Sequence, residues 1–450
     1  MGVIEYQAGI TMMVEYRKSH DTKISFDATA SDFIGEGSGV PSAFSSFGLD
    51  GELRSKPDLG APGGNILSVY PRAKGSYAVL SGTSMSSSYI AGSHALYMQA
   101  KKSKPRGDEI RKVLKNTASI SRDYQTSEIS SAAKQGSGLV NVLNAVLTTT
   151  SISPDHIDLL DTVHFKKSVK IEIKNSGKYT QTYTLSHVPV NALSSYYPPG
   201  KTTPLGTPIA AGIWATVKFS STKVKIAAGK SAKVTLTFQE PAGKTLDFLV
   251  YSGFVVATPS TKDGIAVHVP YTGMKGDVGK VPIMDKDEGL PGLSTPTGID
   301  TFPAMVGISG DDLSWNRMSP GYLFDLTSDL PPFIPVIVAR LESHTPDLTI
   351  RVFNTDTGKF EGFLFNYHSG SAVGPSGRTP AKVDVDGVFD YKYWTWYGYV
   401  VNTESPSAKE RLLPSGTYTI VVAAQRKLSK GNYPVDFEVN DLGSYRIKTA

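Results

Sequence analysis

The sequence predicts a mixed fold, in which part of an α/β layer is followed by two β-sandwich domains. Up to about residue 150, short strand-like runs alternate with three stretches of helical periodicity. After Ser153-Pro154 the helical signal stops, and short alternating strands separated by turn residues take over. The composition agrees, because 43 Gly, 28 Pro, 22 Tyr and 18 Phe favour strands and turns over helices.

The first part of the chain divides at about residue 30. Residues 1–30 show a strand-like alternation without an obvious partner, and such a piece cannot bury a core alone. Residues 31–150 carry the α/β layer, with strand and tight turn alternating over residues 41–70. We expect the helices of this layer to run from Met85 to about Ala100, from Gly107 to about Asn116 and from Leu139 to about Leu147.

The rest of the chain divides at about residue 277. In residues 152–277, apolar residues alternate with charged ones over residues 169–173, and Asn175-Ser176-Gly177 predicts a turn into the next strand. A second pair of strands is joined by Ala228-Gly229-Lys230. These features are typical of a β-sandwich of the immunoglobulin or fibronectin type III kind. Residues 278–450 open with a linker rich in Gly, Pro and Asp and are most simply a second β-sandwich.

Charge and composition exclude several classes of partner and chemistry. The net charge is only +5 and the basic residues are scattered, so we expect no nucleic-acid partner. No apolar run approaches the roughly 18 residues that span a bilayer, and residues 1–7 do not resemble a signal peptide, so we expect no membrane contact. The absence of Cys excludes disulfides, thiolate metal sites and a Cys nucleophile, which favours Ser as the nucleophile. We expect no cofactor and no metal site, with structural calcium left open.

Residues 81–92 carry the motif that points to chemistry. Gly82, Thr83 and Ser84 precede a helix whose small residues suit tight packing inside an α/β domain. A serine at a helix N-terminus lies beside unpaired backbone N–H groups and the positive end of the helix dipole, which favour an adjacent oxyanion. On these three residues alone, an ordinary N-cap is the more frequent explanation of a Thr or Ser at such a place.

Three spaced segments together resemble the second half of the catalytic domain of subtilisin-like (S8) serine peptidases. They are residues 44–48 (FSSFG), residues 56–63 (KPDLGAPG) with Ile66-Leu67-Ser68, and residues 82–85 (GTSM) closing on Ile90-Ala91-Gly92. Residues 135–141 (QGSGLVN) also look like the start of the family's last helix. The resemblance implies that Ser84 is the catalytic nucleophile, that its backbone N–H donates to the oxyanion, and that Gly82 and Thr83 contact the substrate.

The match has departures. The Pro that the family usually carries at the fourth position after the serine is Ser88 here, and the His that often follows is Tyr89. Because Pro in a first helical turn only fixes φ, we expect Ser88 to reduce rigidity without abolishing chemistry. Asp58 is a candidate acid, but the resemblance gives its segment the role of shaping a strand and a turn.

The larger departure is that the catalytic Asp, the catalytic His and the oxyanion Asn of the family have no counterpart here. His20 is the only His that precedes Ser84, and its polar neighbours are typical of a surface loop. His94 lies ten residues after Ser84 on the same predicted helix, nearly three turns away. Ser131 and Lys134 fit a Ser-x-x-Lys pattern, but its companion motifs are missing. We therefore expect this chain alone to be inactive.

The flanking regions resemble one branch of the same family. Residues 1–30 resemble the tail of a protease-associated domain, which that branch inserts between the oxyanion Asn and the serine, so we expect the chain to start inside this insertion. Residues 152–277 resemble the fibronectin-like domain that follows, most specifically at residues 251–254 (YSGF) and 269–276 (VPYTGMKG). Residues 278–450 resemble the C-terminal β domain of such enzymes less closely.

Residues 278–450 also contain an aromatic group that admits two interpretations. Trp394, Trp396 and the Tyr of residues 413–418 (LPSGTY) could form a face that contacts a glycan or the cell wall. Core packing is the alternative, because aromatic side chains dominate the cores of β domains.

The resemblance implies an extracellular, multidomain endopeptidase that acts on proteins or peptides, of which this chain is the C-terminal part. In such an enzyme the serine attacks the scissile carbonyl, a His takes its proton, an Asp orients the His, and backbone N–H and an Asn hold the oxyanion. The alternative from another class is a noncatalytic, β-rich binding or scaffold protein in which the protease remnant is structural.

Overall fold

The structure is a computed structural model that divides into two compact units, Met1–Ser38 and Gly39–Ala450. It describes residues 6–19, 38–102, 105–124, 126–196, 204–242, 248–261, 264–286, 290–294, 305–307, 313–315, 318–327, 334–366, 371–372, 392–403 and 409–449. No helix within these ranges is both long enough and apolar enough to cross a membrane.

The described part of the first unit is a helix, α1 (Tyr6–Ser19), where the sequence predicted strands. That expectation was wrong because Ile10, Met13 and Val14 follow the three- and four-residue spacing of a helix face rather than a strict alternation. Lys18 adds an ion pair with Glu15 one turn earlier, with 2.7 Å between Nζ and Oε1.

Residues 39–149, called the serine segment below, contain one hairpin and four helices. They are β1 (Ile66–Val69), β2 (Tyr77–Leu80), α2 (Thr83–Lys101), α3 (Gly107–Asn116), α4 (Ala132–Gln135) and α5 (Val142–Leu147). The three predicted helices are confirmed, and α4 is additional. The strands expected over residues 41–63 are wrong, because the structure has only an isolated bridge there, between Gly60 and Leu139.

The core of the serine segment is small. Its buried apolar cluster consists of Ile110, Val113, Leu114, Val140 and Ala145. On α2, which has 19 residues, Ser93 is the buried residue. Many large apolar side chains are exposed on the hairpin, α2 and α5, namely Leu67, Val69, Tyr77, Val79, Leu80, Tyr89, Leu96, Leu143 and Leu147. The α/β layer is therefore open on the side formed by these elements.

Residues 150–275, called the first sandwich, form two facing sheets, as the sequence predicted. One sheet has the order β3-β5-β10-β8, and the other has the order β4-β12-β11-β6-β7, with β9 paired to β6. The strands are β3 (Thr150–Ser153), β4 (Ile157–Asp161), β5 (Ser168–Asn175), β6 (Gln181–Tyr196), β7 (Pro204–Ala210), β8 (Thr216–Phe219), β9 (Lys223–Ile226), β10 (Ser231–Gln239), β11 (Leu249–Pro259) and β12 (Val267–Lys275).

The two turns that the sequence predicted in this domain lead from one sheet to the other. The turn after β5 leads into β6 of the opposite sheet, and the turn after β9 leads into β10. They lie side by side, because Asn175 donates its backbone N–H to Lys230 O at 2.9 Å and its side-chain Nδ2 to Ile226 O at 3.1 Å. Asn175 is 1% exposed, so it serves as the buried link between the two sheets.

Two tyrosines explain the glycines of the YSGF and VPYTGMKG segments. In the β11–β12 ladder Tyr251 faces Gly273 and Gly253 faces Tyr271. A Cβ at Gly253 would lie 2.6 Å from the Tyr271 hydroxyl, and one at Gly273 would lie 2.4 Å from the Tyr251 ring. Each ring therefore covers the backbone of the facing glycine, which no residue with a side chain would allow.

Residues 290–449, called the second sandwich, place a three-stranded sheet, β13-β17-β21, against a larger sheet, β16-β25-β24-β18-β19-β22-β23, with β20 paired to β19; β14 and β15 form a separate hairpin. The strands are β13 (Gly292–Ser294), β14 (Met305–Gly307), β15 (Leu313–Trp315), β16 (Leu323–Asp325), β17 (Val336–Ala339), β18 (Leu348–Asn354), β19 (Phe360–Asn366), β20 (Ser371–Ala372), β21 (Lys392–Thr395), β22 (Tyr399–Val401), β23 (Glu410–Leu412), β24 (Gly416–Gln425) and β25 (Phe437–Lys448).

The aromatic group of this domain lies in its core. Trp394, Trp396 and Tyr418 are buried in the same apolar cluster. Trp396 donates its Nε1–H to Tyr399 O at 2.9 Å, and Tyr418 donates its hydroxyl to Pro414 O at 2.7 Å. These side chains pack in the core, as the second interpretation expected. A glycan or cell-wall contact of this domain would have to use other side chains.

Candidate active site

Ser84 lies in the first turn of α2 with its side chain exposed. The N-cap is Gly82, and no side chain caps the helix. The N-cap interpretation of Thr83 and Ser84 is therefore wrong. Among the described residues, none hydrogen-bonds to Ser84 Oγ, and the first N–H groups of a helix have no partner within the helix. Hydroxyl and backbone donors thus face solvent together at the positive end of a 19-residue helix.

A short segment before the hairpin holds the turn that carries Ser84. Gly82 donates its backbone N–H to Gly63 O at 2.8 Å, and Ser86 donates its hydroxyl to Ala61 O at 2.9 Å. A Cβ at Gly63 would lie 2.1 Å from Ser86 Oγ, so glycine is required there. On the next turn Ser88 donates its hydroxyl to Ser84 O at 3.3 Å, where the family usually has Pro. Hydrogen bonds from both sides thus fix the backbone of Ser84.

The QGSG segment is the next layer of this framework. Ser137 donates its N–H to Asp58 O at 3.1 Å, and Gly60 exchanges hydrogen bonds with Gly138 O and Val140 N, both at 2.8 Å. Gly138 has φ +116, and a Cβ there would lie 2.3 Å from a neighbouring backbone oxygen. The glycines therefore allow three backbone segments to approach closely.

Asp58 has a structural environment. Its carboxylate pairs with Lys56 at 2.5 Å and with Lys115 at 3.0 Å, and the Lys115 side chain is 1% exposed. Burial opposes ionisation of Asp58, but its hydrogen bonds with Lys56 and Lys115 and the charges of both outweigh burial and lower its pKa. The carboxylate thus compensates a buried ammonium group, in agreement with the shaping role expected for this segment.

No histidine in the described ranges is hydrogen-bonded to Ser84. His20 lies outside the described residues. His94 is on α2, about 15 Å along the axis from Ser84 at 1.5 Å per residue, and its Nδ1 lies 3.0 Å from Ile90 O, the carbonyl one turn earlier.

Ser131 and Lys134 do not form a dyad. Ser131 caps α4 by accepting a hydrogen bond from Ala133 N, and its hydroxyl lies 3.1 Å from that of Ser252. Burial lowers the pKa of Lys134, as a general base requires. Its ammonium group, however, donates to Ser45 O and lies 4.5 Å from the centre of the Phe47 ring. No hydrogen bond joins the two side chains, so the pattern is structural.

Within the described ranges, no three His, Asp or Glu side chains are placed to hold a metal ion.

The structure also brings together residues that the sequence did not single out. Asn116 on α3 accepts a hydrogen bond from Ile152 N at 2.8 Å and donates one to His268 O at 3.0 Å. His268 in turn places its Nε2 2.8 Å from Ser137 O. Since Asn116 and His268 are 152 positions apart, no local sequence signal could have joined them.

Comparison with known proteins places these observations in a family. Residues 14–144 match the family model described as "Subtilase family", and residues 157–272 match the one described as "Fn3-like domain". The first match begins within residues 1–30, so the protease-associated remnant expected there stays a prediction.

Three similar proteins are named as a proteinase, a peptidase and an extracellular protease. A PI-type proteinase of Lactococcus lactis subsp. cremoris is 30% identical over 59% of this chain and 15% of that protein. A C5a peptidase of Streptococcus pyogenes serotype M18 (strain MGAS8232) is 28% identical over 58% of this chain and 23% of that protein. The minor extracellular protease Vpr of Bacillus subtilis (strain 168) is 31% identical over 39% of this chain and 22% of that protein.

The chain thus spans between 15% and 23% of the length of these relatives. The four sequence segments that resemble subtilisin-like peptidases lie within the residues 14–144 that match the subtilase model. Residues 14–144 are therefore similar to the subtilase family of serine peptidases, and residues 157–272 are similar to an Fn3-like domain.

Proposed function

We propose that this chain supplies the serine-bearing part of a subtilisin-like endopeptidase, with Ser84 as the nucleophile. The observation that carries the proposal is the position of Ser84. Its hydroxyl has no hydrogen-bond partner among the described residues, and it is exposed at the N-terminus of α2. Its loop is fixed by Gly63 and Ala61 within residues that match the subtilase family.

The geometry supports acyl-enzyme chemistry. Ser84 Oγ attacks the scissile carbonyl carbon while its proton passes to a base, and the carbonyl oxygen becomes an oxyanion. The N–H of Ser84, at the positive end of α2, donates to that oxyanion. Gly82 and Thr83 lie immediately before the nucleophile, and there they contact the substrate chain. Collapse of the intermediate expels the amine, which takes the proton back from the base.

The same geometry supports inactivity of the chain by itself. A serine hydroxyl becomes a strong nucleophile only when an adjacent group removes its proton. No His or Asp among the described residues lies within hydrogen-bonding distance of Ser84 Oγ. In subtilisin, the reference enzyme for this effect, loss of the catalytic His costs roughly 10⁶-fold in rate. The base, its Asp partner and the oxyanion Asn are therefore supplied by a further part of a subtilase domain.

We take protein or peptide chains as substrates and an extracellular location, because the relatives are named as proteinases, a C5a peptidase and an extracellular protease. A noncatalytic scaffold is the second candidate. It is favoured by the small buried core of the serine segment beside the large cores of the two sandwiches.

The test uses a fluorophosphonate probe, which reacts with activated serines. Residues 1–450 alone are expected to remain unlabelled and not to hydrolyse casein. Adding the Asp-, His- and Asn-bearing half of a subtilase domain as a separate polypeptide is expected to give labelling at Ser84. Ser84→Ala abolishes that labelling, whereas Ser87→Ala, an exposed serine on the same helix, retains it.

Two outcomes would contradict the proposal. Labelling of Ser84 in the unsupplemented chain would show that a base is already present and that the inactivity is wrong. No labelling under any supplementation, with the sandwiches folded, would favour the noncatalytic scaffold.

A further inference from the structure

The serine segment and the first sandwich meet through buried polar groups. The Asn116 side chain is fully buried and hydrogen-bonds to backbone groups of Ile152 and His268. Near it, Ser252 of β11 accepts a hydrogen bond from Ala132 N at 3.1 Å. Buried polar contacts of this kind hold only one relative placement, since any shift leaves a donor or acceptor unpaired.

His268 of the first sandwich contacts Ser137, which belongs to the hydrogen-bonded segments around the turn that carries Ser84. The residue is 4% exposed, and its Nε2 lies 2.8 Å from Ser137 O. A carbonyl oxygen only accepts, so the ring carries its proton on Nε2. Burial lowers the pKa of His268 to about 4, so the ring is neutral at pH 7. The edge-to-face contact with Phe254, 5.5 Å between ring centres, fixes its orientation.

Hydrogen bonds and the backbone stretches between them lead from His268 to the turn that carries Ser84. Ser137, which accepts from His268, donates to Asp58 O, and Gly60 pairs with both Gly138 and Val140. The same extended segment continues to Ala61 and Gly63, whose carbonyl oxygens hold Ser86 and Gly82. The hydrogen bonds of this route are 2.8–3.1 Å long and short stretches of backbone join them, so displacement at Ser137 is passed to the turn that carries Ser84.

Within the serine segment, Leu59, Ala61 and Ile90 near this turn are only partly buried against a small core. Its apolar cluster has five buried residues, and its hairpin and α2 are largely exposed. Ala132, by contrast, is buried in a cluster with Val190 and Phe254 of the first sandwich. The sandwich therefore supplies part of the packing of residues 131–140, and the serine segment's own cluster buries Val140.

We propose that His268 and Asn116 are positioning residues for Ser84. In this proposal the first sandwich is the scaffold that orders the turn that carries Ser84. This inference rests on the proposed function in one respect only, namely that Ser84 is the nucleophile. The structural part, control of the serine loop by the sandwich, is measured without catalysis.

Hydrogen exchange of the full chain tests the structural part. His268→Leu removes the donor to Ser137 O, and we expect exchange at least about 10-fold faster in peptides containing Gly60, Gly82 and Val140. Peptides of β5 and β10 should keep wild-type protection. His268→Gln is expected to restore slow exchange, because its amide nitrogen reaches the position of Nε2, whereas the shorter His268→Asn does not.

His187 provides the matched control. It is also a histidine of the first sandwich, with its Nε2 2.9 Å from the Tyr271 hydroxyl, but it makes no described contact with the serine segment. His187→Leu should leave exchange at Gly60 and Gly82 unchanged. Should His268→Leu fail to fold, the Gln and Asn variants decide, and equal exchange in the two would overturn the proposal. Hydrogen exchange that is accelerated evenly over the whole first sandwich would also overturn the proposal.

A second measurement separates this inference from the proposed function. In the supplemented labelling experiment, the rate of probe reaction at Ser84 should fall at least about 10-fold in His268→Leu and recover in His268→Gln. Equal rates in wild type and His268→Leu would overturn positioning. If supplemented wild type is never labelled, the proposed function fails while the exchange result still decides whether the sandwich orders the loop.

Discussion

An ionic cluster at the junction of the serine segment and the first sandwich is expected to make their association depend on pH. His156 lies at its centre, with Nδ1 2.7 Å from Asp155 Oδ1 and Nε2 3.4 Å from Asp158 Oδ2. From the serine segment, Lys115 Nζ lies 3.7 Å from Asp155 Oδ2, and Ser55 donates its N–H and its hydroxyl to Asp158 at 2.8 and 2.6 Å. The imidazole thus holds two carboxylates that both bind the serine segment.

The magnitude follows from the His156 pKa. Hydrogen bonds to Asp155 and then Asp158 raise the pKa of His156 from 6.5 to about 9. A raised folded-state pKa gives stability that is fully present below pH 6.5 and is lost as pH rises through about 9. A difference of about 2.5 in pKa corresponds to ~3.4 kcal/mol. Because the side chain is 32% exposed, solvent screening reduces this to ~1–2 kcal/mol.

The contribution of Asp158 to stability depends on pH in the opposite direction. Burial opposes its ionisation, but hydrogen bonds from His156 and Ser55 lower its pKa from 3.8 to about 2. Its contribution is therefore present above pH 3.8 and is lost as pH falls towards 2. The junction is expected to be most stable between these two limits.

The assay is urea unfolding between pH 6 and pH 10, comparing wild type with His156→Asn. Tyr and Lys titrate above pH 9 in both proteins, so only the difference between them reports on His156. We expect the free energy of unfolding of wild type to exceed that of His156→Asn by ~1–2 kcal/mol at pH 6, and we expect this difference to disappear by pH 10. His164→Asn is the control, because His164 pairs with Asp161, at 2.7 Å, and not with the cluster. A pH-independent gap between wild type and His156→Asn would refute the reasoning.

Three further predictions concern stability. Asn116→Ala leaves its two buried backbone partners unpaired and is expected to lower the free energy of unfolding by ~2–4 kcal/mol, measured by urea unfolding; a loss below 0.5 kcal/mol would contradict the buried link. Gly138→Ala should lower the free energy of unfolding more than Gly212→Ala does, because both glycines have positive φ but only Gly138 has backbone within 4 Å of the new Cβ. Equal losses would show that the neighbouring backbone moves away from the new Cβ. Limited proteolysis should cut residues 66–101 first and leave the sandwiches intact, and uniform resistance would show that the serine segment is not an open layer.

Three of the helices, α2, α3 and α5, were predictable because their signals are local. Asp108 and Glu109 occupy the first turn of α3, and Ile110, Val113 and Leu114 follow helical spacing and are buried. The position of Ser84 at a helix N-terminus was also predictable from the glycine and small residues around it. The sequence could not show that Ser84 is not an ordinary N-cap, because only the structure shows that Gly82 occupies the N-cap position.

The features that sequence patterns missed depend on distant contacts. Residues 41–63 have the composition of strands, but their hydrogen bonds go to residues 133–140, far along the chain, rather than to a neighbouring strand. The turn at Asn175 was recognised, yet its partner at Lys230 decides that it joins two sheets. The positioning contact of His268 involves a carbonyl 131 residues earlier, and a lone histidine in a strand has no pattern to reveal it.

The segments that resemble the family are those that touch one another, which explains why their spacing carries so much information. A Cβ at Gly48 would lie 2.0 Å from Lys56 O, one at Gly63 2.8 Å from Gly82 O, and one at Gly136 2.4 Å from Pro57 O. Each segment thus has its glycine where the backbone of another segment passes. This framework packs on a small apolar cluster, and its last segment also accepts a hydrogen bond from His268 of the first sandwich. The sequence motif therefore points to Ser84 as the nucleophile that we propose, whereas in our proposal the order of the turn that carries Ser84 depends on a domain that the motif does not include.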